Sequence, residues 1–396
     1  MSRTKTNKEK YKADKVILSF AVAMAIFGAI MIFDASVYKA NELHNDPFHF
    51  LKLQAIWLLI GFIPALIIYF WDYRKLLKLS FPILILTVLL LIAVLIFAEE
   101  INGSKRWFSF GSLPPIQPAE FAKLSIILYL SRWLGNNKIF STSIKSDFKN
   151  VFLKSLISFG IIISLVIIPI FLEPDLGTTI IIAVTTFIMF FLAKDDKNHK
   201  KYSLLLILLF IPFLVIAAVI EPYRMKRITT FLHLLFTGEV TDPQQTGYQI
   251  QQILIGIGSG GIFGTGFGQS RQRFGYLVEN TAFTDSIFAV ILEEMGFLGG
   301  TILVIAWIAF LWRGLKIAKN APDKQGSMLA VGITVWLTIQ AFVNMAANVG
   351  LMPLTGIPLP FLTYGGSSTI VTLVGIGILL NISKYNNQNQ NGKYSR

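Results

Sequence analysis

Long apolar runs separated by clusters of lysine and arginine decide what this chain can fold into. A membrane-crossing helix needs roughly 20 mostly apolar residues. Ten segments approach or meet that length: about 16–34, 51–70, 76–98, 118–134, 152–171, 175–193, 202–220, 285–312, 327–349 and 366–383. Across 396 positions, 54% of residues are hydrophobic and only 14% are charged. A water-soluble domain has too little polar surface to enclose that much apolar side chain. The expected fold is an all-α polytopic membrane protein with ten transmembrane helices. The fourth segment is short and carries Glu120 and Lys123, and only Leu172-Glu173-Pro174 separates the fifth from the sixth.

The placement of charge orients these helices. Basic residues cluster at 1–15, 74–78, 132–154, 194–201, 313–324 and 384–396, and these clusters hold most of the 35 Lys and Arg residues. Excess Lys and Arg marks cytoplasmic loops. All six clusters fall on one side if the chain crosses ten times with both termini in the cytoplasm. The other side receives 35–50, 99–117, 172–174, 221–284 and 350–365. Of these, 221–284, between helices 7 and 8, is much the largest. Residues 1–15 form a basic cytoplasmic tail running into a retained first helix, since no small-residue cleavage site follows. The tail 384–396, with its Asn/Gln-rich stretch 386–391, is expected to be disordered. The whole chain, 1–396, reads as one membrane domain. No repeat relates its halves, which argues against a typical secondary transporter.

The formal charge of +13 does not point to nucleic acid, because no basic stripe with interleaved aromatics accompanies it. There is no cysteine, and the four histidines are far apart. Thiolate chemistry is excluded and a preformed zinc site is not expected.

Several polar stretches converge on the outer face. In Lys105-Arg106-Trp107, two cations beside an aromatic ring can hold a diphosphate, with Arg giving bidentate contacts. The alternative is an aromatic-belt anchor with snorkelling cations. Pro118 suits a helix start, and Glu120 and Lys123 can pair at i, i+3. Asp175, in the tight corner Glu173-Pro174-Asp175, can cap the next helix or serve as an auxiliary ligand. The glycine-rich run from Gly256 through Gly268 matches a dinucleotide-loop pattern only formally, since no strand precedes it. It reads as close backbone packing or as amides turned towards an anion. Arg224, Lys226, Arg227, Arg271 and Arg273 flank it, as anion ligands or as lipid-headgroup contacts.

Asp285 closes the largest loop, directly ahead of the apolar run Ile287-Phe288-Ala289-Val290. An ionisable group at such a junction is costly and asks for a function. The competing role is an ordinary helix cap by Thr284 or Asp285. Glu293 is about 80° round the helix from Asp285 and Glu294 lies on the opposite face, so neither forms a carboxylate pair with it. Further on, the stretch Pro353-Leu354-Thr355-Gly356-Ile357-Pro358-Leu359-Pro360 and its continuation to Ser368 is irregular backbone at membrane depth. Such backbone survives only against protein or a water-filled cavity, so it marks a cavity wall.

Taken in order, the segments 105–123, 173–178, 223–268, 284–299 and 344–368 resemble the SEDS family, the FtsW/RodA/SpoVE membrane proteins of bacterial wall synthesis. The glycine-rich loop, Thr284-Asp285, and Pro358-Leu359-Pro360-Phe361 with Tyr364-Gly365-Gly366-Ser367-Ser368 carry the likeness. Several features depart from the family pattern, among them Ser286 where the family has Phe and Thr363 where it has Ser. Leu277-Val278-Glu279 stands in place of Leu-Pro-Glu, and two extra residues precede Asp285. The 221–227 stretch is more similar to FtsW members, whereas 354–357 leans towards RodA; the former is favoured.

The resemblance implies a peptidoglycan glycosyltransferase that polymerises lipid II on the outer face of the bacterial plasma membrane during division or elongation. It implies a class B penicillin-binding protein as partner, together with other divisome or elongasome membrane proteins. The catalytic aspartate of the family falls on Asp285, expected to act as general base. Substrate-binding positions fall on Trp107, Lys123 and Asp175, to which Lys105, Arg106, Arg224 and Arg271 are added as phosphate-facing cations. A divalent cation, Mg or Mn, is a further candidate for compensating the diphosphate. The alternative from another class is a flippase for lipid-linked sugars.

Overall fold

The computed structural model describes residues 13–100, 105–110, 113–136, 148–206, 208, 222–241, 247–272 and 281–391. The chain opens with α1 (Lys15–His44), capped by the Asp14 carboxylate, which accepts from the Val16 and Ile17 amides. Then follow α2 (His49–Phe70), the short α3 (Tyr73–Lys78) and α4 (Ser80–Phe97). A two-stranded antiparallel hairpin, β1 (Phe108–Phe110) with β2 (Leu113–Ile116), pairs Phe108 with Ile116 and Phe110 with Leu113. It is an exception to the all-helical expectation. Next come α5 (Pro118–Leu134), α6 (Phe148–Leu172), α7 (Leu176–Leu192) and the helical residues 197–206, here α8. The chain ends with α9 (Pro222–Thr237), α10 (Tyr248–Gly260), a 3-10 turn (Thr281–Phe283), α11 (Ile287–Lys319), α12 (Lys324–Asn348) and α13 (Gly366–Asn391).

Seven of these helices are long and apolar enough to cross a bilayer, which makes this a multi-pass membrane protein. Two of the expected spans, α5 and α7, are helices of 17 residues. Most of the expected seventh span lies outside the described residues. The segment 221–284, expected as the largest loop, carries α9, α10 and the 3-10 turn. One expectation needs correction: the tail is not irregular from residue 384, since α13 continues to Asn391, and 392–396 lie outside the described residues.

Side-chain character sorts the helices into layers. α1, α2, α4 and α6 turn Ile26, Leu59, Phe62, Leu86, Ile161 and similar residues outwards, where only lipid can cover them. α12 is enclosed on nearly every side, and α5 buries most of its residues, including Glu120 and Lys123. These two helices form the centre against which the site is built.

The apolar run beginning at Ile287 is not one straight helix. Gly296 has φ 66° and ψ −168°, a conformation that side chains other than glycine's rarely tolerate. In a straight helix, residues 288 and 300 would stand about 18 Å apart along the axis. Here the Phe288 ring reaches within 3.6 Å of the Cβ position of Gly300, and Leu292 comes closer still. The 287–295 half therefore folds back beside the start of 297–319. The glycine-rich loop fills the break. Thr265 and Gly266 amides donate to the Glu293 and Glu294 carbonyls at 2.9 and 3.1 Å, while Phe297 and Leu298 amides donate to Gly261 and Ile262 at 2.9 and 3.1 Å. Four backbone groups that the helix break would orphan are thus paired. A Cβ on Gly264 would sit 2.0 Å from the Glu294 carbonyl oxygen, so close backbone packing accounts for this glycine.

Candidate active site

Asp285 stands one residue before the N-cap of α11, on the turn 281–286. The turn is closed by the Ser286 amide donating to Thr281 O at 2.9 Å. The N-cap is Ser286, and no side chain caps the helix. The Asp285 carboxylate is therefore not used to hold α11, which removes the ordinary structural reason for an acid here. Its Oδ1 accepts the Thr284 hydroxyl at 3.1 Å. The side chain is only partly accessible. Burial pushes its carboxyl above the ordinary carboxylate range, opposed by hydrogen bonds from its own backbone amide, Thr284 and Gln249 and by the nearby Arg227 guanidinium.

The irregular stretch between α12 and α13 forms the facing wall. Gly356, at φ 70°, presents bare backbone; a Cβ there would point at Asp285 Oδ2 from 4.0 Å. The wall is locked to the Asp285 turn by Tyr364 N donating to Phe283 O (2.9 Å) and the Thr363 hydroxyl donating to Thr284 O (2.9 Å). Its carbonyls are taken up by side chains: Leu354 by Arg227 (2.7 Å), Ile357 by Asn344 (2.8 Å) and Pro358 by Gln340 (3.0 Å). This satisfies irregular backbone inside a membrane protein.

The corner before α7 packs on the same wall. Gly177 packs so tightly on Ile357 and the Thr355 carbonyl that a Cβ would clash at 2.7 Å. Asp175 caps α7, accepting from the Thr178 amide (3.0 Å) and hydroxyl (2.9 Å), and it also receives Gln117 Nε2 at 3.3 Å. The corner that carries Asp175 and the turn that carries Asp285 therefore both approach residues 355–357. In that corner, Glu173 is fully buried with both carboxyl oxygens unpaired. Burial first, and the Asp175 charge second, push its carboxyl up to about 8.

The expected phosphate-facing residues divide. Arg106 spends its guanidinium on the Glu173 and Pro174 carbonyls (2.9 and 2.6 Å) and lies over the Trp107 ring at 5.9 Å. It ties the 105–107 segment to the Asp175 corner. Lys105 is partly accessible beside it. Lys123, expected at the substrate, is instead 2% exposed and donates to Glu120 (2.7 Å) and Gln340 (2.8 Å). The buried ion pair is the role the geometry supports, and through Gln340 it supports the wall at Pro358. Arg271 has an exposed side chain, and its amide donates to Glu293 Oε1 at 3.1 Å. It is thus placed at the far end of the 287–295 half-helix from Asp285. Arg224 is carried on α9; its side chain lies outside the described residues, as does Arg273.

Three residues were not singled out as site residues from sequence: Gln249, Asn344 and Asn348. Trp336, Gln340, Asn344 and Asn348 recur every four residues, a spacing that aligns them on one face of α12. That periodicity was a legible signal. Among the described residues, no group of three or more His, Cys, Asp or Glu side chains is placed to hold a metal ion.

With the geometry in view, similarity to known proteins can be assessed. Residues 14–388 match the FtsW/RodA/SpoVE family model, described as cell cycle protein. Stage V sporulation protein E of Bacillus subtilis is 39% identical over 95% of this chain and 98% of its own length. A probable peptidoglycan glycosyltransferase FtsW of Legionella pneumophila is 36% identical over 94% of this chain and 91% of its own. Among solved structures, a chain from work on structural coordination of polymerization and crosslinking by a peptidoglycan synthase complex superposes with a TM-score of 0.74. It shares 27% identity and covers 95% of this chain and 99% of its own. The rod shape determining protein RodA of Thermus thermophilus gives 0.67 at 25% identity, covering 94% and 96%.

Proposed function

The chain belongs to the FtsW/RodA/SpoVE family, and from that premise we propose that Asp285 is the general base of a peptidoglycan glycosyltransferase acting on lipid II. The observation that carries the reading is a carboxylate at a helix start that caps nothing, faces bare backbone at Gly356 and is raised by burial. In the proposed step the 4-hydroxyl of one substrate's GlcNAc attacks C1 of a MurNAc held on undecaprenyl diphosphate. The new C–O bond forms with inversion, the bond from C1 to the phosphate oxygen breaks, and the hydroxyl proton passes to Asp285. A base with a raised pKa is better matched to this proton transfer than an ordinary surface aspartate.

The diphosphate leaves with the bonding electrons, so compensation of its charge takes the place of a carboxylic acid. Arg227, whose charge acts on Asp285 while one of its nitrogens holds the Leu354 carbonyl, is the best-placed described cation for this. A divalent cation, if bound, would supply charge compensation as the other means, with a carboxylate of the site as the residue that would hold it. Lys105 and the loop arginines Arg224 and Arg271 are assigned to the approaching substrate, and Trp107 and Asp175 to the edge of the site.

Ten spans with both termini in the cytoplasm, and the 221–284 segment and Asp285 at the outer face of the bacterial plasma membrane, follow from the basic clusters. A class B penicillin-binding protein as partner is supported by the likeness to a chain of a peptidoglycan synthase complex.

The test is polymerisation of purified lipid II by the chain co-purified with its transpeptidase partner. Asp285→Ala should remove detectable glycan polymer while the complex still forms. Polymer at the wild-type rate would refute the assignment. Lipid translocation surviving in proteoliposomes without polymerisation would support the flippase alternative. Chelation with EDTA, followed by Mg or Mn, separates the two means of compensating the diphosphate.

A further inference from the structure

One face of α12 carries amides where a membrane helix ordinarily carries aliphatic side chains. Gln340, Asn344 and Asn348 are buried, at 0, 2 and 1% exposure. Placing three primary amides in such surroundings is unfavourable unless their hydrogen bonds are made. Here their N–H groups find partners of an unusual kind, while the Asn348 side-chain oxygen is buried without a partner. Asn344 Nδ2 donates to Asp285 O and Ile357 O, both at 2.8 Å. Asn348 Nδ2 donates to Asp285 O at 2.9 Å and to Asn344 O at 3.0 Å. Gln340 Nε2 donates to Pro358 O at 3.0 Å, while its oxygen accepts from Lys123 and from the Trp336 indole at 2.9 Å.

The Asp285 carbonyl receives two of these donors for a reason that lies in the turn. In a regular helix this carbonyl would accept from the Ala289 amide, four residues on. That amide donates to Ser286 O instead, at 2.9 Å. The Asp285 carbonyl is consequently without a helical partner, and α12 supplies two. Asn344 also bridges Asp285 to Ile357, whose neighbour Gly356 faces the Asp285 carboxylate. This amide thus ties the residue that carries the base directly to the wall opposite it, beside the Thr363 and Tyr364 links to the neighbouring residues of the turn.

We infer that Asn344 and Asn348 are positioning residues for Asp285, fixing the distance and aim of its carboxylate across the gap to Gly356 through its main-chain carbonyl. The inference rests on Asp285 being the base. Neither amide touches the carboxylate or needs to touch substrate.

The experiment compares Asp285→Ala, Asn344→Leu, Asn348→Leu, the double Asn variant and Asn348→Gln, each co-purified with the transpeptidase partner. Rates of lipid II polymerisation are followed against substrate concentration and pH. Displacing a catalytic group by about 1 Å costs on the order of 10²-fold. The double variant should therefore lose about that factor in kcat with KM within about twofold, the pattern of an interaction made in the transition state. Its acid limb should move to higher pH, because a displaced carboxylate loses the Thr284, Arg227 and Gln249 contacts that oppose the effect of burial. Asn348→Leu, which leaves Asn344 in place, should show the same changes more weakly, and it keeps the test open if the double variant does not fold. Asn348→Gln, which retains an amide donor, should recover part of the rate.

Full polymerisation by Asp285→Ala would overturn the assignment of the base, whatever the asparagine variants do. An inactive Asp285→Ala with wild-type kcat and an unmoved acid limb in Asn348→Leu and the double variant would overturn the positioning role alone. A lower rate with an unmoved acid limb and no rescue by Gln would mean that the amides serve only the fold, and would also overturn it.

Discussion

Asp175 and Asp285 hold nearly the same position in the chain's grammar, each an acid just ahead of a helix, but the fold uses them in opposite ways. Asp175 turns its carboxylate onto the Thr178 amide and hydroxyl and caps α7. Asp285 leaves α11 uncapped by any side chain and directs its carboxylate to Thr284 and the gap before Gly356. The difference lies in the main chain. The Asp285 turn is held from outside its own helix, by Thr363, Tyr364, Asn344 and Asn348. A carboxylate becomes available for chemistry when other groups do the structural work that it would otherwise do.

The sharpest way to break this comparison is to remove each acid in turn. Asp285→Ala should lower lipid II polymerisation by about 10²- to 10⁴-fold, the range general-base help supplies, with little loss of thermal stability. An appreciable fall in Tm in detergent, with activity retained, would mean that Asp285 is a structural residue after all. Lys123 supplies the opposite extreme. Removing one partner of a buried ion pair leaves an uncompensated charge and typically costs about 3–5 kcal/mol. Lys123→Met should therefore lower Tm substantially, and Lys123→Met combined with Glu120→Gln should recover much of it. A Tm unchanged in the single variant would show that the pair contributes nothing net.

How far the chain could be read in advance follows from the same contrast. Hydropathy placed α1, α2, α4, α5, α6, α7, α11, α12 and α13 close to where they lie, because lipid exposure demands long apolar runs. It did not show the bend at Gly296, because the apolar character resumes at Met295-Gly296-Phe297-Leu298 directly after Glu293-Glu294. The break is specified by a loop more than thirty positions earlier, whose backbone fills it. Asp285 drew attention because an acid beside an apolar helix is costly. The pairing of Lys123 with Glu120 was legible at i, i+3, but its second partner Gln340, 217 residues away, is a tertiary fact. Asn344 and Asn348 went unnoticed because neutral amides raise no alarm in a charge-based reading, although their spacing was visible.

Glu173 sharpens the comparison at the corner itself. Its carboxyl is pushed up from an ordinary value of 4.5 to about 8 by burial and the neighbouring Asp175. The folded state then holds a proton that the unfolded chain releases at lower pH. Linkage makes stability fall as pH rises from about 4.5 to about 8, by at most a few kcal/mol. Glu173→Gln keeps the shape and removes the titration. The difference in Tm between this variant and the wild type should grow in the variant's favour across that window and level off above it. A constant difference from pH 5 to pH 8.5 would place Glu173 in contact with water or a cation.

The smallest effect expected is that of Asp175 itself, and it decides whether the contrast with Asp285 is one of kind or of degree. Replacing an N-cap acid by alanine typically costs about 1 kcal/mol, and Asp175 caps α7 through two bonds while also receiving Gln117. Asp175→Ala should give a modest fall in Tm, and Asp175→Asn or Asp175→Ser, which still cap, should restore it. If capping is its whole contribution, polymerisation per folded molecule should stay within about threefold of wild type in Asp175→Asn, far short of the general-base range lost at Asp285. A loss of rate in Asp175→Asn comparable to Asp285→Ala, with Tm restored, would show that the two acids act on substrate together at the 355–357 wall. The capping bonds of Asp175 would then be the means of holding a second working carboxylate in place.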